Sequence, residues 1–383
     1  MRILMCSPNP LVRELGAPKV SIELAEALRE IGVECEVVGP GDYGAAAAQD
    51  RAARADRWSR LRAYLQANAS RFDVVEYDHE ELPFPRADFD PRPLMVARCV
   101  LLVHRLATPV PRRWDARTLA GAVLHGWARR RLHDARVRSA NRTLRESDLI
   151  NVANDWDEDA MAELGLDPAK VTVLPYGLSR ARRAAFEAMC GEGAPAEPRV
   201  AFVGTFDWRK GAADFPDIVR VVSLALSDVR FRLLGTAGLF RTAAQVLRFF
   251  PRAAWPRIEV HPRFAPGALP RLLADCSVGV FPSYYEGFGF GVLEMLAAAL
   301  PVLAYRAAGP AMMLPPAWLV GPGRVGGVEL GGRLLNLLGS PLRLAEARAR
   351  ARQRSRRFDW IDIAQRTVRA YEEAIARRDA AYR

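Results

Sequence analysis

The sequence has few cysteines and no long uninterrupted apolar run. Its five cysteines, in 383 residues, form no Cys-x-x-Cys pair, which argues against a zinc site or a disulfide framework. We expect free thiols in a reducing compartment at Cys6, Cys35, Cys99, Cys190 and Cys276. Charged residues or proline interrupt the longest apolar stretches, so we expect no transmembrane helix. The first residues follow a strand pattern rather than a signal-peptide pattern, and we expect a soluble, cytoplasmic protein.

Acidic residues are outnumbered by arginine and lysine. The chain has 55 Lys and Arg against 44 Asp and Glu, a formal net charge of +11. This balance favours polyanionic partners, namely nucleoside diphosphates, lipid phosphates, anionic membranes or nucleic acid, without choosing among them, and an arginine-rich proteome would give the same bias with no partner. The basic segment 112–145 fits a peripheral face for anionic lipid head groups and equally fits a solvated helix face. No basic–aromatic recognition motif stands out, so we expect no nucleic-acid partner.

The first half of the chain has a strand–helix–strand pattern. Strands are predicted at residues 2–6 and 32–38 with a helix at 18–31 between them, and further strands at 72–77 and 93–103. In such a βαβ unit the first loop lies at the ligand-binding edge of a parallel sheet. Gly16 closes that loop and is our candidate for the close approach of an acceptor or a phosphate.

A lone histidine, His104, follows the strand predicted at residues 93–103. The carboxyl end of a parallel strand is well placed for a ligand-binding cleft. A lone histidine is nevertheless more often structural than catalytic. His104 is therefore a candidate catalytic residue, with a structural role as the alternative.

A second βα series begins near residue 199. Residues 179–198 are rich in Arg, Ala, Gly and Pro and are predicted as a linker. The strand at 199–203 ends in a loop that contains Arg209 and Lys210 just before a predicted helix. An arginine fork and a lysine point charge suit a leaving diphosphate, on which negative charge grows as its bond to the sugar breaks. The alternative is a solvated cation pair on a turn.

The stretch from residue 281 to 303 organises the second half. A buried strand is predicted before it and another begins at residue 301, with a helix at about 291–300 between them. Glycines at alternate positions, Gly287, Gly289 and Gly291, allow a ligand close to the backbone and to the helix N-terminus. Glu286 lies in the loop, where it can reach a sugar. Glu294 lies about one turn into the helix, where its carboxylate can accept hydrogen bonds from ribose hydroxyls.

The order of these features resembles the donor site of the retaining glycosyltransferases of family 4. The resemblance is carried by the glycine-flanked loop 204–211 and by the stretch in which Glu286 and Glu294 are followed by an Ala-rich helix and Pro-Val. A strand–loop–helix corner with surface acids is the alternative for the second motif. Two features depart from the family pattern. Thr205 stands where many members have arginine, and the acid that usually follows a Gly-Gly pair is replaced near Gly309 by methionines.

The resemblance implies a GT-B fold, an α/β architecture of two Rossmann-like doubly wound domains that face a central cleft. Residues 1–178 would form the acceptor domain, 179–198 the linker and 199–358 the donor domain, and a C-terminal helix at 359–383 would cross back to the acceptor domain. The family histidine falls on His104 or on Val100. The residues implied in donor binding are Gly204, Thr205, Gly287, Phe288, Gly289 and Glu294.

The implied reaction is glycosyl transfer, with retention of configuration, from a UDP- or GDP-linked sugar to a hydroxyl acceptor in glycoconjugate synthesis. The nucleoside-diphosphate sugar is a co-substrate, and we expect no cofactor. We also expect no metal, because neither Asp88-Phe-Asp90 nor Asp155-Trp-Asp157 follows an apolar strand as a metal-binding pair would. Two rival functions stay open: a nucleotide-sugar epimerase, and a degenerate GT-B protein that serves as a basic membrane- or nucleic-acid-binding scaffold.

Overall fold

The computed structural model describes residues 1–12, 16–46, 51–107, 110, 116–189 and 197–381. The chain divides into two compact units. The first holds residues 1–107, 116–179 and 359–383, and the second holds residues 180–358. Each unit contains its own six-stranded parallel sheet. In the described part of the chain, no helix has the length and hydrophobicity that crossing a bilayer requires.

The four inner strands in the sheet of the first unit are buried along most of their length. Ile3 and Leu4, for example, have no exposed surface. Continuous apolar strands of this kind are typical of parallel sheets covered on both faces. The strands are β1 (Arg2–Cys6), β2 (Glu34–Val38), β3 (Val74–Asp78), β4 (Leu94–Cys99), β5 (Leu149–Val152) and β6 (Val171–Val173). Their spatial order is β2-β1-β3-β4-β5-β6, so the direction of winding reverses between β1 and β3.

Four helices of the first unit connect these strands. They are α1 (Gly16–Glu30), α2 (Arg51–Asn68), α3 (Ala116–Glu146) and α4 (Asp155–Glu163). The Asn154 side chain caps α4 by accepting a hydrogen bond from the Asp157 backbone N–H at 2.8 Å. The basic segment 112–145 is largely α3, although its residues 112–115 lie outside the described part.

The second unit repeats the βα plan with a different strand order. Its strands are β7 (Arg199–Val203), β8 (Arg230–Leu234), β9 (Ile258–His261), β10 (Val278–Phe281), β11 (Val302–Tyr305) and β12 (Leu319–Val320). Its helices are α5 (Arg180–Met189), α6 (Phe215–Ala225), α7 (Ala243–Leu247), α8 (Leu269–Leu273), α9 (Phe290–Ala297), α10 (Ala308–Met313), α11 (Gly326–Leu338) and α12 (Pro341–Ser355). The spatial order β12-β11-β10-β7-β8-β9 reverses its winding between β7 and β10.

The last helix, α13 (Trp360–Ala381), packs against α1 in the first unit. The Trp360 indole donates to Glu23 at 2.7 Å, at the start of the helix. Further along, the Tyr371 hydroxyl donates to the buried Glu76 carboxylate at 2.5 Å and accepts from the Asn151 amide at 2.9 Å. The predicted α/β class, with two doubly wound sheets and a returning C-terminal helix, is confirmed.

Two predicted element boundaries were wrong. The strand predicted at 93–103 ends at Cys99. Residues 103–107 form a short 3₁₀ helix instead, and the Val103 N–H donates to His79 Nε2 at 3.3 Å rather than to a neighbouring strand. The predicted linker contains helix α5, whose Phe186 is fully buried in the second unit. Residues 190–196 of that segment, including Cys190, lie outside the described part. The four described cysteines are all free thiols.

Candidate functional site

The two loops singled out in the sequence follow β7 and β10, which are neighbours in the second sheet. These are the strands between which the winding reverses. In open α/β sheets, ligands bind outside the carboxyl ends of the strands at such a reversal. The loops 204–211 and 282–289 therefore lie where this fold provides a crevice for a ligand.

Backbone contacts hold the two loops together. The Tyr284 N–H donates to the Arg209 carbonyl at 2.8 Å. Gly211 has a φ of 79°, and a Cβ at that position would lie 2.2 Å from the Pro282 carbonyl oxygen. Only glycine fits there, since any side chain would push the loops apart. Gly211, which ends the loop 204–211 (the cation loop, after Arg209 and Lys210), is thus required for packing against the loop that carries Glu286.

A compact ion cluster connects the same loops. Glu286 is 6% exposed, and its Oε1 accepts from Arg209 Nη1 at 2.8 Å and from the Ser283 hydroxyl at 2.9 Å. The Lys210 ammonium pairs with the same oxygen and also lies 5.0 Å from the centre of the Phe281 ring. Arg209 Nη1 donates further to the Tyr285 carbonyl at 2.7 Å. Two cations and the Glu286 carboxylate therefore meet at the carboxyl edge of the sheet, and the charge of Asp207 in the same loop also acts on both cations.

The pKa values in the cluster follow from burial and pairing. Burial acts to raise the pKa of the Glu286 carboxyl, but Lys210 and Arg209 outweigh it and hold that pKa below its ordinary value. Burial lowers the pKa of the Lys210 ammonium, and Glu286 opposes this effect only in part. Burial likewise opposes the charge of Arg209, but Glu286 prevails and raises the pKa of the guanidinium. The pairing with Glu286 thus fixes the two cationic groups of the loop in place before any ligand binds.

The remaining residues predicted for the cation loop support its shape. Gly204 directly follows β7, and the Thr205 hydroxyl donates to Asp207 Oδ2 at 2.7 Å. Asp207 in turn accepts from the Lys210 backbone N–H at 3.0 Å through its other oxygen. Thr205, which replaces the arginine common in the family, thus fixes the turn that presents Lys210.

The glycine-rich loop ends at helix α9. Gly287 and Phe288 precede Gly289, which is the residue that caps the helix, and Phe288 is buried against Phe290 and Phe358. A Cβ on Gly291 would lie 2.2 Å from the carbonyl oxygen of Val203. Gly291 is therefore required for the packing of α9 on β7. The sequence had suggested another role for this glycine, the close approach of a ligand.

Glu294 lies in α9 as predicted, but with a partner that the sequence did not indicate. It is 6% exposed, and its Oε1 accepts from Arg182 Nη2 of α5 at 2.6 Å. Arg182 precedes Glu294 by 112 residues, in the segment that was predicted as a linker. No local pattern in the sequence could have shown this pair.

The segment near Gly309 has no carboxylate, as the sequence already indicated. It forms α10, and the Gly309 N–H donates to the Glu286 carbonyl at 3.2 Å. Methionines end the helix, and Met313 is buried near Gly289. The segment that lacks the family's acid is therefore adjacent to the glycine-rich loop, and methionine side chains stand where the acid is usually found.

The candidates in the first unit lie at the carboxyl edge of the other sheet. Gly16 is the first residue of α1, which follows β1 in the chain. Val100 directly follows β4, and His104 lies in a short 3₁₀ helix at 103–107, with its Nε2 2.8 Å from Asn141 Oδ1. Burial lowers the pKa of the His104 imidazole, so the neutral ring is favoured.

The Asp-x-Asp pairs have structural partners. Asp90 binds Arg92 at 2.8 Å, and Asp157 accepts from the Asn154 amide at 2.8 Å at the start of α4. Among the residues that the structure describes, no three His, Cys, Asp or Glu side chains are grouped as a metal site requires.

Comparison with known proteins covers both units. Residues 16–182 match the family model described as "Glycosyltransferase Family 4", and residues 197–329 match the model described as "Glycosyl transferases group 1". The fold is similar to that of sucrose-phosphate synthase from Thermosynechococcus elongatus, with a TM-score of 0.73 and 16% identity over 98% of this chain and 100% of that one. It is also similar to Anabaena HepE in complex with UDP and glucose, with a TM-score of 0.65 and 16% identity over 97% and 99% of the two chains.

The chain belongs to the family 4, group 1 glycosyltransferases. Both loops of the ion cluster fall within the group 1 match, and Gly16 and His104 fall within the family 4 match. The resemblance inferred from the sequence is confirmed.

Curated relatives of this chain match over shorter segments. An MMP alpha-(1->4)-mannosyltransferase of Mycolicibacterium hassiacum is 39% identical over 114 residues, which is 28% of this chain and 27% of that protein. A D-inositol 3-phosphate glycosyltransferase of Kineococcus radiotolerans is 29% identical over 274 residues, or 64% of this chain and 61% of that protein. The chain thus spans less than two thirds of the length of the curated relatives it matches.

Proposed function

We propose that this protein is a retaining glycosyltransferase that moves a sugar from a UDP- or GDP-linked donor to a hydroxyl acceptor. The observation that carries the proposal is the ion cluster of Arg209, Lys210 and Glu286 at the strand reversal of the second sheet. The two cations at this edge suit a diphosphate. Glu294, on helix α9 that follows the Glu286 loop, would bind the ribose hydroxyls.

The cations would act on the leaving group. When the bond from the sugar C1 to the diphosphate oxygen breaks, negative charge grows on that oxygen, and Arg209 and Lys210 would stabilise it. The acceptor oxygen forms the new bond to C1 on the same face, and its proton passes to the leaving diphosphate. We favour this displacement over a route through a covalent intermediate, because the Glu286 carboxylate is already paired with Arg209, Lys210 and Ser283.

Glu286 would bind the sugar through one of its two carboxylate oxygens. Among the described residues, all partners of its carboxylate contact Oε1, namely Arg209, Lys210 and Ser283. The second oxygen, Oε2, would accept from a sugar hydroxyl while the first keeps the cations in place. Glu286 would therefore couple the position of the sugar to that of the diphosphate.

The acceptor is proposed from chemistry and from the relatives. One curated relative is named a mannosyltransferase and another a D-inositol 3-phosphate glycosyltransferase. We therefore propose a hydroxylated acceptor such as a sugar, a cyclitol phosphate or a lipid-linked sugar, as used in polysaccharide or glycolipid synthesis. His104 and Gly16 would lie on the acceptor side.

We further propose a cytoplasmic protein with peripheral contact to anionic membranes. Helix α3 carries the exposed residues Arg130, Arg131 and Leu132 next to one another, and Leu132 is 53% exposed. Basic side chains beside an exposed apolar one suit a lipid surface. Co-sedimentation with phosphatidylglycerol vesicles, but not with phosphatidylcholine vesicles, tests this contact.

The enzymatic proposal is tested by incubating the protein with UDP- and GDP-sugars and a panel of hydroxyl acceptors. We expect transfer with release of the nucleoside diphosphate, and proton NMR of the product should show the donor's anomeric configuration. Glu286→Ala and Lys210→Ala should each abolish turnover, and circular dichroism without denaturant should show both variants still folded, although less stable. Near wild-type rates in both variants would contradict the site.

The two rival functions give different results in the same assay. An epimerase would convert the donor sugar without using the hydroxyl acceptor. A basic scaffold would bind polyanions with a steep salt dependence and would show no saturable binding of nucleotide sugars.

A further inference from the structure

The pair formed by Arg182 and Glu294 joins two helices of the second unit, one of which directly follows the glycine-rich loop. Glu294 belongs to α9, and Arg182 belongs to α5, which packs against α8 and α9. The Arg182 side chain is 20% exposed and that of Glu294 is 8% exposed, so the pair is only partly open to solvent. The two side chains meet through Arg182 Nη2 and Glu294 Oε1 at 2.6 Å, a distance typical of a strong charge-assisted hydrogen bond.

The position of Arg182 is fixed by its own helix. Phe186, one turn further along α5, has no exposed surface, and the Arg182 guanidinium lies 5.9 Å from the centre of the Phe186 ring. Because Phe186 fixes α5 in the second unit, Arg182 is held at its place before any ligand arrives. A guanidinium held in this way restricts the rotation of the carboxylate that it binds.

A carboxylate that binds a ribose must be ionised and correctly oriented. Burying it without a cation would cost several kcal/mol. We propose that Arg182 is a positioning residue for the nucleotide ribose: it compensates the burial of Glu294 and orients this carboxylate towards the 2′- and 3′-hydroxyls. The inference rests on the proposed function, since it needs a nucleotide in the donor site. Arg182 does not touch the reacting atoms and sets donor affinity rather than the chemical step.

The experiment compares nucleotides with and without the ribose hydroxyls. Isothermal titration of the full chain with UDP and GDP identifies the better ligand, and the 2′,3′-dideoxy form of that nucleotide is the second probe. We expect the wild type to prefer the ribose form by about 10-fold or more, since each hydrogen bond to an ionised group contributes about 1.5–3 kcal/mol. In Arg182→Ala this preference should fall at least about 5-fold, while the dideoxy nucleotide binds within about 2-fold of wild type.

Matched variants separate positioning from general damage. Arg183→Ala is the control, because Arg183 neighbours Arg182 on α5 and its guanidinium donates to the Phe358 carbonyl at 3.0 Å. It should leave the ribose preference unchanged. Glu294→Gln should remove the preference, and adding Arg182→Ala to it should have no further effect on the preference, as expected for two residues that act together.

The kinetic readout is the KM for the donor sugar, which should rise in Arg182→Ala while kcat changes little. Equal loss of affinity for both nucleotides in Arg182→Ala, or tighter binding of the ribose form, would overturn the role of Arg182. An unchanged ribose preference in this variant would also overturn it and would leave the proposed function standing. Failure of the wild type to bind either nucleotide would instead remove the proposed function together with this inference.

Discussion

Replacing Lys210 by methionine separates the catalytic contribution of the ion cluster from its structural contribution. Methionine keeps the length of the side chain and removes the charge. Glu286 keeps two partners in the variant, Arg209 at 2.8 Å and Ser283 at 2.9 Å. The carboxylate is therefore not left unpaired, and its burial stays compensated in large part.

The effects on stability and on catalysis differ in size. Breaking a buried pair without compensation costs about 3–5 kcal/mol, but here Arg209 remains, so we expect a loss of about 1–2 kcal/mol. Burial already lowers the pKa of Lys210, which means that its charge is costly to bury and that its removal recovers part of the loss. Removing a cation that faces the leaving group should lower kcat by about 10²–10³-fold, equivalent to about 3–4 kcal/mol in the transition state.

Urea unfolding followed by circular dichroism gives the stability, and donor turnover gives kcat. Glu286→Gln is the comparison, because it leaves two partly buried cations without their anion and should destabilise the second unit by about 2–3 kcal/mol, more than Lys210→Met does. The double variant should be more stable than Glu286→Gln alone and equally inactive. If Lys210→Met kept near wild-type kcat, or if it unfolded as readily as Glu286→Gln, the reasoning about the cluster would be wrong.

Three further predictions concern the rest of the molecule. Tyr371→Phe removes the hydroxyl that links Glu76 and Asn151, and urea unfolding should show a loss of about 1–3 kcal/mol, whereas an unchanged midpoint would contradict the role given to this hydroxyl. Burial raises the pKa of Asp214 to about 6. Between about pH 4 and 6 the folded chain therefore holds a proton there that the unfolded chain has released. The free energy of unfolding contributed by this group should fall by at most about 3 kcal/mol as the pH rises through that range. Asp214→Asn should flatten that decline, and an identical pH profile would refute the assignment. Turnover should persist in excess EDTA, and loss of activity that Mg²⁺ or Mn²⁺ restores would show a metal requirement.

Local sequence patterns predicted the cation loop and the glycine-rich loop well. The four residues of β10 are all buried, and the apolar run and the glycines around it are close in sequence, so the strand, loop and helix could be recognised. The prediction that Arg209 and Lys210 lie near Glu286 depended on both loops following strands of one parallel sheet. The structure brings these three residues together.

The features that depend on tertiary contacts could not be predicted. Arg182 lies in a segment whose Arg, Ala and Gly content indicated a linker. Its place in the second unit depends on tertiary contacts: Phe186 is buried, and α5 packs against α8 and α9. The end of β4 was placed too late, since the apolar residues before His104 favour a strand. The hydrogen bond from the Val103 N–H goes to His79, a residue just after β3 and 24 positions away in the sequence. The role of Gly291 was misassigned because its close neighbour, Val203, is distant in sequence.

The most direct test of the central claim is a phosphorus-31 NMR titration of UDP and GDP with the wild type and with Lys210→Met. The account predicts that one of the two nucleotides shifts or broadens at its β-phosphate in the wild type, in a saturable manner, and that Lys210→Met reduces this effect strongly. A β-phosphate signal that is unchanged by the wild type, or equally perturbed by both proteins, would contradict the assignment of this cluster to the donor diphosphate.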